Sequence, residues 1–346
     1  MLVKSSLDSL PRFPDDVPIA PIASASLSKL LANDDAEAGK VLEACQTQGF
    51  FYLDMRDCPE GQTLLDESEQ LLQLATETFS RPLEEKQKFA LKKGVSLYGY
   101  KGAGVVKQTD KDKRPDSTEF FNIAKDHVYG IEPSREYPAE IEAAKPLIRD
   151  FTKNAYECGM VVLRTLASQL GLPPTTFTDK NLFSSSSCDH CRLTHKTPHV
   201  ADKRAIGLPS HTDFGSITVL FNWLGGLQIQ SHGPSKLGEW EYVRPLSGHA
   251  IINLGDSMVI FTNGRLKSAK HRVVSAPGEQ VNVDRYSIVY FVRPANEVLM
   301  KPVDKFQASG QVKAAGKFCD GFVVGEKDKV FTSKEWMDAR AKQMGS

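Results

Sequence analysis

Two hydrophobic rhythms divide the chain. Up to about residue 183, apolar side chains recur at three- and four-residue steps, the period of a helix with one buried face. After about residue 185 they come in short β-branched and aromatic runs bounded by Gly, Pro, Asn or Asp, the punctuation of strands. The first regime predicts a helix over 35–48, opened by Asp34 and Asp35. It predicts a second carrying Leu64, Ser68, Leu71, Ala75 and Phe79, which ends before Pro82. The longest stripe, from Ile141 through Ile148, Phe151, Ala155, Val162 and Leu166 to Leu170, predicts one helix over 139–171, stopped by Gly171, Pro173 and Pro174. VPIAPIA (17–23) reads as an extended arm, GFFYLD (49–54) as a short buried strand and the Gly-rich, charged stretch 93–118 as loop.

The second regime predicts strands at 216–221, 227–230, 240–243, 250–254, 257–261, 271–274 and 285–292. No helical stretch separates them, so an antiparallel sandwich or barrel is expected rather than βαβ units. A last short helix begins at Thr332, where TSKE has the form of a capping box. The expected class is α+β, a helical N-terminal half packed on an all-β C-terminal half.

Composition narrows the function classes. The 346 residues carry 43 Lys and Arg against 43 Asp and Glu, so there is no basic footprint for nucleic acid. No run approaches the ~20 apolar residues that span a bilayer, and MLVKSSLDSL lacks the apolar stretch of a secretory signal. The six cysteines then read as reduced thiols, and the expected location is cytoplasmic, without a membrane partner.

His211-Thr212-Asp213 is the sharpest chemical signal. On a strand, residues i and i+2 share a face, so the imidazole and the carboxylate converge. His271 opens a further strand. Two imidazoles and one carboxylate on one side of a metal leave open positions, an arrangement suited to non-haem Fe(II). Composition alone yields about one His-x-acid pair among eight histidines, so by itself the pair also fits ordinary core or surface residues. A second pair, Arg285 and Ser287, shares one face of a strongly apolar strand. A planar guanidinium and a neighbouring hydroxyl suit a carboxylate, and the plain alternative is a salt bridge to a protein acid.

The runs LPSHTDFGSITVLFNWLGGLQIQ (208–230), NLGDSMVIFTNGRLKSAKHRV (253–273) and DRYSIVYFVRP (284–294) together resemble the isopenicillin-N-synthase-like family. That family consists mostly of Fe(II)/2-oxoglutarate-dependent dioxygenases. The likeness is nearest to its fungal branch, which includes thymine hydroxylase and many natural-product oxygenases. It covers most of the chain, because GFFYL and RPLEEK also look like the family's N-terminal region. The resemblance implies a double-stranded β-helix (jelly-roll) core with a helical N-terminal region packed on it. Its divisions would be an N-terminal region over 1–130, a supporting helix over 131–183, the catalytic core over 184–300 and an extension over 301–346. It implies His211, Asp213 and His271 as Fe(II) ligands and Arg285 and Ser287 as holders of 2-oxoglutarate, with dioxygen as second co-substrate. Asn253, Gly255 and Asp256 become a structural turn.

The sequence departs from the family where relatives have a 2-oxoglutarate-contacting Tyr. Lys196 stands there, either as a second cation or pointing to solvent. Asp54-Met55-Arg56 replaces a common Asn-His-Gly turn. By position the family nominates Tyr98, Tyr100, Phe120, Asn122, Phe214 and Phe291 as substrate-lining, although each aromatic also fits ordinary core. As a set they favour a largely apolar or aromatic small-molecule substrate. The implied reaction is oxidation of such a molecule, hydroxylation by default, with succinate and carbon dioxide as co-products. An oxidase working without 2-oxoglutarate and a non-catalytic binding protein are the alternatives.

Other motifs carry less. Cys188-Asp189-His190-Cys191 has metal-like spacing but lacks a second ligand pair of recognised zinc spacing. Gly99, Gly102 and Gly104 lack the Gly-Lys-Ser/Thr of a phosphate loop. KQTDKDKR (107–114) reads as a solvated loop, and the internal Ser-Lys-Leu at 235–237 is no peroxisomal address.

Overall fold

Strands form where β-branched and aromatic residues cluster, and the first four are recruited from the half whose rhythm is helical. The computed structural model describes residues 10–92, 96–105, 115–198, 206–232, 236–307 and 330–343. The 107–114 run and Cys319 lie outside the described residues. In chain order the strands are β1 (Ser24–Ser26), β2 (Phe50–Asp54), β3 (Gly99–Lys101), β4 (Thr118–Ala124), β5 (His190–Lys196) and β6 (Leu208–His211). Then follow β7 (Ile217–Asn222), β8 (Leu227–Gln230), β9 (Trp240–Tyr242), β10 (His249–Leu254), β11 (His271–Val273) and β12 (Arg285–Val292).

Eight of them make one sheet in the order β1-β2-β10-β7-β12-β5-β4-β3, and β6-β11-β8-β9 make a second. The pair is the jelly roll. All pairings are antiparallel except β1 with β2.

Alternation along the strands gives the large sheet two different faces. Outward, Phe51, Leu53, Phe121, Leu193, Ile288, Tyr290 and Val292 join the main core with the helices Pro59–Ser80 and Lys145–Gln169. Inward, Phe50, Tyr52, Leu220, Ile251, Val289 and Phe291 meet Leu227 and Ile229 of the other sheet and Val243, which follows β9. Each fully buried Phe or Leu contributes ~1.5–3 kcal/mol, and a one-residue slip would turn the whole outward set inward. The apolar residues at 288, 290 and 292 therefore fix Arg285, Ser287, Val289 and Phe291 on the inner face.

The predicted helices at 35–48 and after 59 are present, and Asp34 caps the first by accepting from the backbone N–H of Glu37 at 2.8 Å. The Thr332 capping box closes in both directions: Glu335 accepts from the Thr332 N–H, and Thr332 Oγ1 from that of Glu335.

Three expectations differ. The run 257–261 is not a strand but lies in a buried helix, Asp256–Phe261, ended by Asn263 and Gly264 at positive φ. A five-residue apolar run reads alike in both states, and the Asn-Gly stop was the better signal. The helix expected over 139–171 is two, Ala139–Ala143 and Lys145–Gln169, because Pro146 lacks the N–H that a continuous helix needs. Finally, β1, β3, β4, β5 and β6 were not anticipated, and β3 (Gly99–Lys101) lies inside the stretch 93–118 that was expected to be loop. HCRLTHK carries polar groups on both faces, so it shows no alternation to read.

Candidate active site between the two sheets

His211 ends β6, His271 begins β11, and the two face each other in register. Asp213 is not on a strand with His211 as expected from the His-x-Asp spacing but follows β6 in the turn to β7, and the turn rather than the pleat brings the two together. His211 Nε2 and His271 Nε2 lie 3.8 and 3.7 Å from Asp213 Oδ1, and the three potential ligand atoms lie within 4.8 Å of one another.

Each imidazole is aimed by its other nitrogen. His211 Nδ1 meets Pro209 O at 2.8 Å and His271 Nδ1 meets Ala269 O at 3.2 Å. A carbonyl only accepts, so each Nδ1 carries a hydrogen and each Nε2 is the atom turned to the centre. Asp213 Oδ2 accepts from Thr218 Oγ1 (2.6 Å) and Asn253 Nδ2 (2.7 Å), which leaves Oδ1 for the same point. Burial alone would raise the Asp213 pKa. The imidazoles of His271 and His211 and these two hydrogen bonds hold it at about 2, so the group is a carboxylate. Burial, with His271 beside it, pushes His211 down to about 4, so it is a neutral ligand at pH 7. Two imidazole Nε2 atoms and one carboxylate oxygen, all aimed at one point, fit Fe(II).

The turn is braced from behind. Thr212 Oγ1 donates to Asp256 Oδ2 (2.9 Å), and the Asp256 N–H to Asp213 O (2.8 Å). Buried Arg340, from the helix Ser333–Gln343, donates to Asp256 Oδ2 at 2.7 Å and stacks 4.7 Å from the Phe214 ring. Beneath it two glycines pack backbone on backbone: a Cβ on Gly255 would meet Gly215 O at 2.1 Å. Asn253 and Asp256 are thus more than a turn, since both orient Asp213. Thr218, Asn253 and Arg340 were missed by sequence reasoning. Only their polar character in apolar or C-terminal surroundings marks them.

At the other end of β12, Arg285 is 3% exposed and donates from Nε to Gly225 O at 2.7 Å, while its Nη1 is buried without a partner. No carboxylate pairs with it among the described residues, which removes the salt-bridge alternative there. Lys196 is its cross-strand partner and is 4% exposed, so it does not point to solvent. Ser287 lies one pleat along on the same face. Burial lowers Arg285 to about 10, and burial with the nearby Arg285 charge lowers Lys196 to about 8. Two adjacent buried cations and an orphaned N–H fit a dicarboxylate. On the opposite face, His195 ties the strands together. It hydrogen-bonds Glu119 (2.8 Å) and Asp284 (2.7 Å) and stacks on Tyr286.

The nominated lining residues divide. Phe120, Asn122 and Phe291 lie on the inner face, and Phe214 is beside them through Arg293, which lies 6.0 Å from the Phe214 ring and 5.5 Å from that of Phe291. Tyr98 packs edge-on to His127 and His190. Tyr100 does not belong with them. Its register opposite Phe121 turns it to the helix-packed core, where its hydroxyl donates to Glu119. Sequence reasoning also overlooked Arg192, which stacks 4.1 Å from Phe120 and 4.9 Å from Phe291. Among the described residues Cys188 and Cys191 join no metal-ligand group, and Gly99 is a strand residue at positive φ rather than part of a phosphate cradle.

A jelly roll holding a His-x-Asp…His centre beside a buried Arg-x-Ser defines a class, and the comparisons agree with it. Residues 188–294 match the 2OG-Fe(II) oxygenase superfamily, and residues 17–141 match the N-terminal region of the non-haem dioxygenases described for morphine synthesis. The chain belongs to the 2OG-Fe(II) oxygenase family. It is an oxidoreductase of the 2-oxoglutarate-dependent dioxygenase type, and its cofactors are Fe(II) and 2-oxoglutarate. A 2-oxoglutarate-dependent dioxygenase of Aspergillus fumigatus is 30% identical over 96% of this chain and 91% of its own length. Another from Glarea lozoyensis is 31% identical over 82% of each. The full-length thymine hydroxylase of Neurospora crassa, in complex with alpha-KG, shares the fold with a TM-score of 0.74 at 24% identity, over 96% of this chain and 99% of that one. No helix among the described residues is long and apolar enough to cross a membrane.

Proposed function

We propose that this enzyme oxidises a small organic molecule of natural-product biosynthesis in the cytoplasm. Hydroxylation is the default, and desaturation, cyclisation or ring rearrangement are other outcomes of the same chemistry. In this reading His211 and His271, through Nε2, and Asp213, through Oδ1, hold Fe(II). The metal supplies a centre at which dioxygen is reduced at the expense of 2-oxoglutarate, with release of succinate and carbon dioxide.

The protein's own part is positioning and exclusion of water. Arg285 would fork the distal carboxylate of 2-oxoglutarate, with the Ser287 hydroxyl as a further donor and Lys196 as a second cation. Phe50, edge-on to His271 at 5.5 Å, shields the ligand ring from water. Phe120, Phe214 and Phe291, with Tyr98 and Asn122, would line the substrate side. A small planar substrate is consistent with the Neurospora thymine hydroxylase, whose structures include a complex with thymine. The five described cysteines are all free, in keeping with a reducing compartment.

The observation that carries the reading is a buried guanidinium, Arg285, with an unpartnered Nη1 on the same inner face of β12 as Phe291, together with three converging ligand atoms near the other end of that strand. The test is an anaerobic titration of the metal-free protein with Fe(II) and then 2-oxoglutarate, followed through the visible charge-transfer band of the chelate. A saturable band is expected, absent in His271→Ala. Its midpoint should rise ten- to hundredfold in Arg285→Met, the effect of losing a charge-assisted pair worth ~1.5–3 kcal/mol. An unchanged midpoint would move the 2-oxoglutarate carboxylate away from Arg285.

A further inference from the structure

The inner face of β5 and β12 carries more positive charge than the groups assigned so far account for. Arg285 and Lys196 answer the 2-oxoglutarate dicarboxylate, and Asp213 belongs to the metal centre. Lys101, whose ammonium lies 5.5 Å from the Phe120 ring, has its own carboxylate in Asp116. Two guanidiniums remain. Arg192 stands on the inner face of β5 between Phe120 and Phe291, and its one hydrogen bond among the described residues runs from Nε to the neutral Asn122 side chain at 2.8 Å. Arg293 continues the inward alternation of β12 past Phe291. It is 7% exposed, with Nε and Nη1 buried and unpartnered.

Neither guanidinium pairs with a carboxylate among the described residues. The Asp189 carboxylate takes the backbone N–H of Arg293 (2.7 Å) and the Tyr290 hydroxyl (3.1 Å), and Asp213, whose charge reaches Arg192, is committed to the metal centre. His190 lies against Phe291 at 4.6 Å and adds no negative charge. Its Nδ1–H meets Cys188 O, and its Nε2 is a buried acceptor without a partner. Two buried cations flanking one aromatic ring, with no directly paired carboxylate among the described residues, are costly unless a ligand supplies one.

Their place relative to the metal centre is set by register. Phe291 pairs with Thr218 on one side and with His190 on the other. Thr218 is the residue whose hydroxyl holds Asp213. Arg192, on β5, therefore sits across β12 from Thr218, while Arg293 follows Phe291 and stands against Phe214 and Gly215, which continue from Asp213, so the two cations border the space between Phe291 and the metal ligands.

We propose that Arg192, which fills the space between Phe120 and Phe291, and Arg293 form a second anion subsite, which takes the carboxylate of a planar, unsaturated substrate lying against Phe291. This deepens the function proposed above and rests on it. It also changes the substrate expected from the sequence, where the nominated residues were largely aromatic and pointed to an apolar molecule. In the subsite one end of an otherwise apolar ring system is fixed by charge, so a single C–H edge is offered to the metal.

The test uses the full-length protein with Fe(II) and saturating 2-oxoglutarate under anaerobic conditions, so that Arg285 is occupied and no turnover occurs. Calorimetric titration compares 2-naphthoate with its neutral isostere 2-naphthamide. The acid should bind at least tenfold more tightly, and that preference should fall to near unity in Arg192→Gln and in Arg293→Gln. The 2-oxoglutarate titration should be unchanged in both variants, which is also the control for folding. If Arg192→Gln does not fold, Arg293→Gln and Arg192→Lys carry the test, the lysine keeping charge but losing the planar fork.

Equal binding of acid and amide would overturn the subsite. So would a preference that survives in either glutamine variant, or no binding of naphthoate at millimolar concentration. Naphthoate that competes with 2-oxoglutarate would place it at Arg285 and overturn the proposal as well. Failure of 2-oxoglutarate itself to bind would sink the function proposed above instead.

Discussion

Lys196 shows how one residue in a new place changes a site. The sequence left it between a cation for 2-oxoglutarate and a solvated side chain, because strand register cannot be read from HCRLTHK. The structure pairs it with Arg285, and a Cβ on Gly207 would lie 3.0 Å from its Cδ, so the stem is packed. Burial and the Arg285 charge depress its pKa to about 8. The group is then charged below about pH 8 and neutral above it, so affinity for the 2-oxoglutarate dianion should fall as pH rises. A several-fold loss between pH 7 and 9 is expected in the wild type, and a flat profile in Lys196→Met. Charge-transfer titrations at each pH check this, and parallel profiles would remove Lys196 from the site. The proposed metal ligands and Arg285 were legible because their chemistry is local to short motifs. Thr218 and Asn253 were not, because what they do depends on where Asp213 lies in space.

Among the elements, the Ser333–Gln343 helix has the most unexpected part. Its capping box was readable at Thr332, but not that Arg340 reaches back to Asp256 behind the metal turn. Both partners are almost wholly buried, and removing one leaves the other uncompensated, a loss of ~3–5 kcal/mol. Arg340→Met should lower the melting temperature and weaken Fe(II) binding about tenfold, by freeing Thr212 and the Asp213 backbone. Calorimetric metal titration and a thermal melt measure the two effects. Intact metal affinity alongside a lowered melt would make the helix a brace for the fold alone. The Asp256–Phe261 helix, misread as a strand, has the same origin: its apolar run is buried on every side and has no periodicity to report.

At the scale of the molecule, the site is a joint. The small sheet brings His211 and His271, and the large sheet brings Thr218, Asn253, Arg285, Ser287 and Lys196. A ligand bound there ties both sheets to the folded state and to no other. Fe(II) at a hundredfold excess over its dissociation constant should therefore add about 2.7 kcal/mol, roughly 3–6 °C in melting temperature. A chelator should reverse the shift, and His271→Ala should show none. Differential scanning calorimetry with and without metal is the measurement, and a shift retained in His271→Ala would place the ion elsewhere.

The jelly roll and the metal and anion roles came with the family resemblance; by itself the sequence determined helices then strands, an α+β class, a His-x-Asp…His spacing and an Arg-x-Ser spacing. These are properties of period and spacing, which survive in one dimension. Tertiary structure alone decided what crosses the barrel. It turned Tyr100 outward, put Lys196 beside Arg285, ran Arg340 under the metal turn and left Arg192 and Arg293 around Phe291 without a carboxylate among the described residues. Burial and partnership are set by neighbours many residues away, so no local pattern encodes them.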